Sequence, residues 1–273
     1  MIEIPEAVTI SRQIDETLSG KRVRLAMANA SPHKFAWYSG DPAEYHDRLA
    51  GKVIAGSPAS GEMIRFRAGD MELSVSAPIR HHLAGEARPK KHQLLIEFDD
   101  GTAITSSAQM WGAFMCYPAG EPTGALHVDA HRAKPSPLSD AFDRPYFDGL
   151  WTEDTPRLSV KAFLATEQRI PGLGNGVLQD ILWTAKLNPR RRMDTLSGAE
   201  LTLLFATVKE LLAEMTALGG RDTERDLFWQ PGGYRTVLCA KTAGMPCPAC
   251  GATIVKQAYL GGSVYYCPVC QPA

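Results

Sequence analysis

Four cysteines near the carboxyl terminus restrict the possible folds of this chain more than any other feature. They form two Cys-x-x-Cys pairs, Cys247 with Cys250 and Cys267 with Cys270, separated by sixteen residues. Two tight turns that each present two thiolates supply the tetrahedral ligand set that zinc prefers, and four protein ligands leave no open position for chemistry. The spacing therefore predicts one structural Zn²⁺ ion.

Two disulfides, or four unrelated cysteines, are the alternative interpretations of this pattern. The chain opens without a basic and apolar leader, so we expect a cytoplasmic protein, and disulfides are rare in that reducing compartment. Residues 254–260 and 264–266 are strand-like and flank Gly261, Gly262 and Ser263, which predicts a hairpin between the cysteine pairs. Cys116 and Cys239 lie outside the spacing and are expected to act as small buried hydrophobic residues.

Size and charge limit the function classes that remain. The 273 residues are 44% hydrophobic, enough for two domains in addition to the cysteine-rich end. We expect a monomer that does not reside in a membrane, because no apolar run is long enough to span a bilayer. With 29 Lys and Arg against 30 Asp and Glu the net charge is −1, so any surface for nucleic acid must be a local basic patch.

The first half of the chain has the pattern of a β-structure. Strand-like runs at 63–66, 71–75, 94–98 and 102–105 are separated by turn signals, which favours an antiparallel sandwich or barrel. Val8, Ile10, Ile14 and Leu18 recur at near-helical spacing, so we expect a helix over 7–18 that packs on the sheets.

The second half has a helical pattern after a linker rich in Pro, Gly and Asp. Helices are predicted over 159–168, 175–186 and 197–218, and Ser197 and Glu200 stand at capping-box spacing at the start of the third. Between the first two helices, Gly172, Gly174 and Asn175 form a turn where backbone N–H groups and a helix N-terminus suit a phosphate. A tight turn between helices also needs glycine for steric reasons alone, and that interpretation stays open.

Several of these segments together resemble the formamidopyrimidine-DNA glycosylase/endonuclease VIII family. The segments are Glu3-Ile4-Pro5-Glu6, the hairpin at 97–101, the run 168–182 containing Pro-Gly-Leu-Gly-Asn, and the four-cysteine finger. The resemblance spans essentially the whole chain and implies an α+β fold. That fold has an N-terminal two-sheet β-sandwich at 1–133, a helix-two-turn-helix domain at 134–238 and a zinc-finger hairpin at 239–273. It also implies that DNA crosses a cleft between domains.

The resemblance implies a DNA glycosylase with abasic-site lyase activity, in which an N-terminal proline amine attacks the sugar C1′. Here position 2 is Ile2 instead of proline, so the N-terminal amine is expected to be that of Met1, one residue before the position of the family's proline. Glu3 matches the family acid that protonates the departing group, and Glu6 matches a supporting acid. Carboxylates ahead of a helix also complement its dipole, which is the alternative explanation for both.

The family's DNA contacts are only partly present. The phosphate-gripping lysine falls at Glu62 and the finger arginine at Gly262, which leaves Asn175 of the three phosphate-pinning residues. The loop that fills the space of an extruded base corresponds to 107–112, where Gln109, Met110 and Trp111 could enter a duplex, or Met110 and Trp111 could instead fill the core. Other basic candidates lie at 90–92, 190–192, Lys241 and Lys256, of which Lys256 inside the hairpin is favoured.

Three functions are compatible with these observations. The first is an active glycosylase and lyase that uses the Met1 amine, or Glu3 and a water, and the second is a non-catalytic nucleic-acid-binding protein of the same fold. The third is a zinc-dependent protein-interaction module, favoured only by the net charge. We predict recognition of double-stranded DNA that contains a damaged base or an abasic site, in base-excision repair.

Overall fold

The structure is a computed structural model that describes residues 2–56, 63–125, 129 and 132–273. The chain forms two compact units: one contains the chain up to Ala133 together with Leu218–Gly233, and the other contains Lys134–Ala217 and Tyr234–Ala273. Among the described helices, none is long and apolar enough to cross a membrane.

The first unit is a sandwich of two four-stranded sheets, as predicted. Its helices and strands in chain order are α1 (Ile4–Leu18), β1 (Val23–Ala28), β2 (Ala36–Tyr38), α2 (Tyr45–Leu49), β3 (Ile64–Ala68), β4 (Met71–Val75), β5 (Ile79–His82), β6 (Leu94–Phe98), β7 (Ala103–Ser106) and β8 (Gly112–Pro118), with a 3₁₀ turn at Pro42–Glu44. One sheet has the order β1-β6-β7-β5 and the other β2-β8-β4-β3. Neighbouring strands are antiparallel except β2 and β8, which are parallel.

The core of this unit lies between the two sheets and under α1. Ile10, Ile14 and Leu18 on one face of α1 pack with residues of both sheets, such as Ile96 and Phe66. The helix begins at Ile4 rather than at Ala7, because a proline at its first turn removes only an N–H that has no partner there. Residues 218–233 close the unit, since Leu227 O accepts a hydrogen bond from His81 N at 2.8 Å.

The second unit is helical and ends in the cysteine-rich hairpin. Its elements are α3 (Arg144–Gly149), 3₁₀ turns at Thr155–Arg157 and Met193–Thr195, a π-helix (Ala162–Thr166), α4 (Asn175–Thr184), α5 (Gly198–Ala217), β9 (Val255–Tyr259) and β10 (Gly262–Tyr266). The π-helix replaces part of the helix predicted over 159–168, since its wider turns accommodate an extra residue. The predicted capping box is present, with Glu200 N donating to Ser197 Oγ at 3.2 Å.

The hairpin turn lies one residue earlier than the sequence suggested. Tyr259 pairs with Gly262, so Leu260 and Gly261 form a two-residue turn and Gly262 belongs to β10. Both turn residues have positive φ, 48° for Leu260 and 73° for Gly261, which is the backbone of a type I′ turn. A leucine at positive φ cannot be recognised from the sequence, because leucine rarely adopts that conformation. The pair Gly261 and Gly262 therefore placed the predicted turn one residue too late.

Candidate functional site

The four predicted zinc ligands lie together at the base of the hairpin. The Sγ atoms of Cys247, Cys250, Cys267 and Cys270 are all within 4.8 Å of one another, and two of the pairs are 3.9 and 3.4 Å apart. Four thiolates at zinc–sulfur distances of about 2.3 Å in a tetrahedron have sulfurs about 3.8 Å apart, so the arrangement fits the ion. Four cysteine ligands close the coordination shell, which indicates a structural metal centre.

Helix α4 holds the hairpin through three side chains on one face. Asn175 Nδ2 donates to Ser263 O at 2.8 Å, Gln179 Oε1 accepts from Tyr265 N at 3.1 Å, and Trp183 packs against the cysteine cluster. These residues follow each other at intervals of four, which places them along a single helical stripe. The start of α4 and the hairpin therefore share one rigid surface.

Buried polar groups fix the remaining connections of the finger. Asp180, fully buried, accepts hydrogen bonds from Val237 N at 2.8 Å and Leu238 N at 2.7 Å. The Gln271 side chain accepts from Cys267 N and donates to Leu187 O, both at 2.9 Å. The motif residue Asp180 is thus a structural anchor, because backbone donors satisfy its carboxylate.

A buried lysine that the sequence analysis missed, Lys161 just before the π-helix, lies beside the finger hairpin and Asn175 of α4. A Cβ on Gly262 would lie 3.7 Å from Asn175 Nδ2 and 3.7 Å from Lys161 Nζ, so these groups converge where the family arginine was expected. Lys161 is 3% exposed and donates to Tyr259 O at 2.5 Å, and Asn175 Oδ1 is buried without a hydrogen-bond partner. The only sequence signal was a single lysine in the apolar run 160–164.

The electrostatics of Lys161 favour an anion. Burial lowers the pKa of the Lys161 ammonium, and among the described residues no carboxylate forms an ion pair with it. A buried ammonium without a counterion is stabilised by any anion that reaches it. Gly172 and Gly174 lie in the turn that leads into α4, whose N-terminus adds a partial positive charge.

The three arginines after α4 differ in their contacts. Arg191 pairs with Glu200 and Arg192 with Asp194, whereas Arg190 lies over the Tyr259 ring, 4.5 Å from its centroid. Lys161 Nζ lies 5.8 Å from the same ring. Two cations therefore flank Tyr259 in the hairpin. Lys256 is exposed on β9 opposite Tyr265, and its role in DNA binding stays a prediction.

The N-terminal carboxylates belong to a buried charge cluster. Glu3 and Glu6 are each 3% exposed and form a reciprocal capping box at the start of α1, in which Glu3 N donates to Glu6 Oε2 at 3.2 Å. Ile2 is buried in the sandwich core. Met1, whose amine was the predicted nucleophile, lies outside the described residues, as does Glu62.

Among the described residues, Arg221 is the cation that pairs with this cluster. Its Nη2 lies 2.8 Å from Glu6 Oε2 and 3.7 Å from Glu3 Oε2, and its backbone N–H donates to Glu6 Oε1 at 3.0 Å. Burial lowers the pKa of Arg221, but the charges of Glu3, Glu6 and Glu224 outweigh burial and raise it overall. Nothing in the sequence linked Arg221 to Glu6, because 215 positions separate them.

Two glycines let the Arg221 segment approach the carboxylates closely. A Cβ on Gly220, at φ +94°, would lie 3.3 Å from Glu6 Cγ, and one on Gly232 would lie 2.2 Å from the Gly220 backbone. The Gly220 backbone cannot yield to a Cβ on Gly232, and the positive φ of Gly220 itself disfavours any side chain there, so both positions require glycine. The segment 218–233 is therefore built tightly around Glu6.

The predicted insertion loop is open to solvent. Met110 is 73% exposed and Trp111 42%, and Gln109 is also exposed, so neither Met110 nor Trp111 fills the core. The loop is fixed at its base, where Gln93 Oε1 accepts from Ala108 N at 2.8 Å. It presents one aromatic and one flexible apolar side chain, which is the composition of a wedge between base steps.

The paired histidines His81 and His82 and the cysteine Cys116 are structural. His82 is buried and hydrogen-bonds Thr105 at 2.8 Å and Glu86 at 3.3 Å, and burial lowers the pKa of His81 and His82. Cys116 is fully buried, and burial raises the pKa of its thiol to about 12, which agrees with a small core residue. Cys239 is half-buried.

The chain is similar over nearly its full length to formamidopyrimidine-DNA glycosylases. A formamidopyrimidine-DNA glycosylase of Bordetella petrii is 31% identical over 284 residues, which cover 99% of both chains, and one of Enterococcus faecalis is 25% identical over 99% of this chain and 97% of its own. Among solved structures, the MutM (Fpg) protein of Thermus thermophilus superposes with a TM-score of 0.81 at 24% identity, covering 98% of each chain. The Lactococcus lactis Fpg in complex with abasic-site DNA superposes with a TM-score of 0.82 at 23% identity, covering 99% of this chain and all of the other. No family model matches the chain.

Proposed function

Because this chain belongs to the formamidopyrimidine-DNA glycosylase family, we propose that it recognises double-stranded DNA containing a damaged base or an abasic site, in base-excision repair. The observation that carries the proposal is the convergence of Asn175, Lys161 and Gly262 at the finger hairpin. A phosphate at this point would meet a buried ammonium, an amide N–H and the N-terminus of α4, which together replace the missing arginine.

The exposed loop at 107–111 supports the same function. Trp111 offers a ring on which a base can stack, and Met110 can enter the space that an extruded nucleotide leaves. Lys256 and Arg190 would contact neighbouring phosphates of the same strand. Because only a few cations contribute, affinity for DNA should fall less steeply with salt than for a strongly basic protein.

The site supports recognition more strongly than catalysis. Glu3 and Glu6 are occupied by the capping box and by Arg221. In the family chemistry Glu3 would be the group that exchanges a proton with the departing base, and its carboxylate here lies 3.7 Å from Arg221 Nη2. The Met1 amine remains the nucleophile that the family chemistry would use, with the C1′–base bond breaking as the nitrogen–C1′ bond forms.

The ligand set present fits a structural zinc ion, which we place at Cys247, Cys250, Cys267 and Cys270. The ion would fix the hairpin that carries Tyr259 and Gly262 and would take no part in bond breaking. Because chromosomal DNA is the proposed ligand, we propose a cytoplasmic protein that associates with the nucleoid when bound to DNA.

Binding to an abasic-site duplex, compared with an undamaged duplex at low and high salt, tests the proposal. We expect preferential binding of the abasic-site duplex, with an affinity that falls as salt rises. The same affinity for both duplexes would reject lesion recognition, and no affinity even at low salt would favour the protein-interaction alternative. Borohydride trapping on the abasic-site duplex then separates the catalytic versions, since reduction of a Schiff base gives a covalent adduct, and an adduct that maps to the N-terminal peptide identifies the Met1 amine.

A further inference from the structure

Four side-chain rings form a continuous surface on the first unit that extends well beyond the insertion loop. The ring centroids of His33 and Phe35 are 6.3 Å apart, those of Phe35 and Trp37 are 6.4 Å apart, and those of Trp37 and Trp111 are 6.3 Å apart. We call His33, Phe35, Trp37 and Trp111 the aromatic strip. Phe35 is 46% exposed and Trp37 47%, so this is a large apolar area in contact with water.

The strip is a consequence of strand alternation rather than of incomplete packing. β2 is an edge strand, and its Ala36 and Tyr38 pack against the core, where Tyr38 stacks on Phe114 with centroids 5.6 Å apart. Phe35 and Trp37 alternate with them and point outward. The inner positions already complete the core, so the outer aromatic residues are not needed for folding.

Positive charge surrounds the strip. Ser107 Oγ donates to Lys91 O at 3.3 Å, and Gln93 Nε2 donates to Ser31 O at 2.6 Å, so the segments 29–38, 90–93 and 107–111 form one hydrogen-bonded surface. These segments contain Lys34, Lys90 and Lys91, all exposed, and no Asp or Glu. Lys34 Nζ lies 5.3 Å from the Phe35 ring centroid. In a chain of net charge −1, this is a local basic surface.

We infer that the aromatic strip binds the unpaired bases of a single DNA strand that continues from the insertion loop. Aromatic faces stack on bases without regard to sequence, and flanking lysines neutralise the phosphates between them. The strip begins at Trp111 and runs along β2, so a DNA strand whose bases stack on it is not paired with its complementary strand. The inference rests on the proposed function for its ligand being DNA, and it assigns the substrate class: a lesion next to an unpaired stretch, or in a single strand.

The substitution Trp37→Ala tests the inference. Fluorescence anisotropy would measure binding to a labelled oligothymidine strand, to a fully paired duplex with a tetrahydrofuran abasic-site analogue, and to the same analogue in a bubble. We expect Trp37→Ala to weaken binding to the single strand and the bubble about tenfold and to change binding to the paired duplex by less than about twofold. Trp37→Phe should keep most of the affinity, because a phenyl ring still stacks.

Trp151→Ala is the matched control, since Trp151 is an equally exposed tryptophan in the second unit. It should leave all three affinities unchanged, and thermal unfolding of each variant checks the fold. Equal losses on single strand and paired duplex, or no loss on either, would overturn the inference. The inference would also be overturned if the wild type sedimented as a dimer and Trp37→Ala as a monomer, because the strip would then be a protein interface.

The two proposals fail in different ways. If the wild type prefers the paired abasic-site duplex but Trp37→Ala has no effect on any probe, lesion recognition stands and the strip inference is wrong. If the wild type binds the single strand through Trp37 and treats damaged and undamaged duplexes alike, the strip inference stands and the proposed function is wrong.

Discussion

At the scale of single residues, Lys161 connects burial to function. Its ammonium lies 3.7 Å from the position that a Cβ on Gly262 would occupy. Among the described residues, its partners are the Tyr259 carbonyl, to which it donates, and the Tyr259 ring. A purely structural lysine needs nothing more than carbonyl acceptors. Lys209 is such a case, because it donates to Ser139 O and Phe142 O, each at 2.8 Å, and lies over the Phe142 ring.

The pair Lys161→Met and Lys209→Met therefore separates binding from packing. We expect Lys161→Met to weaken DNA binding about tenfold and to lower the salt slope of log K by about 0.9, because one phosphate contact is lost. Lys209→Met should reduce stability and leave the slope unchanged. Salt titrations of both variants measure this, and an unchanged slope in Lys161→Met would mean that Lys161 only supports the hairpin.

Arg221 is the residue on which the N-terminal carboxylates depend. Removing it takes the guanidinium away from the buried Glu6 carboxylate, and breaking a buried ion pair in this way costs about 3–5 kcal/mol. We expect Arg221→Met to lower the free energy of unfolding by that amount in denaturant titrations. Adding Glu6→Gln should recover part of the loss, because it removes the carboxylate charge with which Arg221 pairs.

Arg12→Ala is the control for Arg221, since Arg12 pairs with Glu16 at 3.2 Å with both side chains about 60% exposed. Exposed pairs contribute roughly 0.2–0.5 kcal/mol, so its effect should be near the error of measurement. A loss in Arg221→Met no larger than in Arg12→Ala would contradict the assignment of Arg221 as the counterion.

At the scale of elements, helix α5 has a pH-sensitive start. Hydrogen bonds from Arg191 and from the Ser197 backbone lower the pKa of Glu200 to about 2. A carboxylate whose folded pKa is below its unfolded value of about 4.3 contributes stability above pH 4.3, and that contribution disappears as the pH falls toward 2. The same residue closes the capping box with Ser197.

We therefore expect Glu200→Gln to destabilise the protein by about 1 kcal/mol at pH 7, as loss of a helix cap does. The difference between wild type and variant should shrink as the pH is lowered through the interval from about 4 to 2. Denaturant titrations across that range measure the difference. A difference that grows on acidification would show that the pKa of Glu200 is raised rather than lowered.

The cysteine hairpin is the element that metal should control. Four thiolates cannot stay close together without a cation, so removal of zinc by a chelator should unfold β9 and β10 and displace Tyr259 from Lys161 and Gly262 from Asn175. Metal analysis should find one zinc ion per chain, and chelation should abolish DNA binding. Near-ultraviolet circular dichroism of the sandwich core should be largely retained, and full retention of DNA affinity without zinc would contradict the assigned role of the hairpin.

At the scale of the whole molecule, the sequence predicted the parts that local patterns encode. Cysteine spacing located the metal centre, alternation located four strands of the sandwich, and Ser197 with Glu200 located the start of α5. Long-range pairings carried no local signal: Arg221 pairs with Glu6 across 215 positions, and Lys161 donates to Tyr259 O across 98 positions. Strand β2 was missed because it has only three residues and its outward residue, Trp37, is as apolar as the inward Ala36 and Tyr38, so no alternation of apolar and polar residues is visible in the sequence.

The chain order of the first unit has a consequence for its synthesis. The sandwich needs Leu218–Gly233, yet 84 residues of the second unit, Lys134–Ala217, are translated before that segment. At about 5–20 residues per second, roughly 4 to 17 seconds pass between completion of residue 133 and arrival of 218 on the ribosome. Throughout that interval the nascent sandwich lacks Arg221, which pairs with the buried Glu6, and Leu227, which packs in its core. We therefore expect a chain that stalls before residue 218 to be cleaved by proteases more readily than the full-length protein.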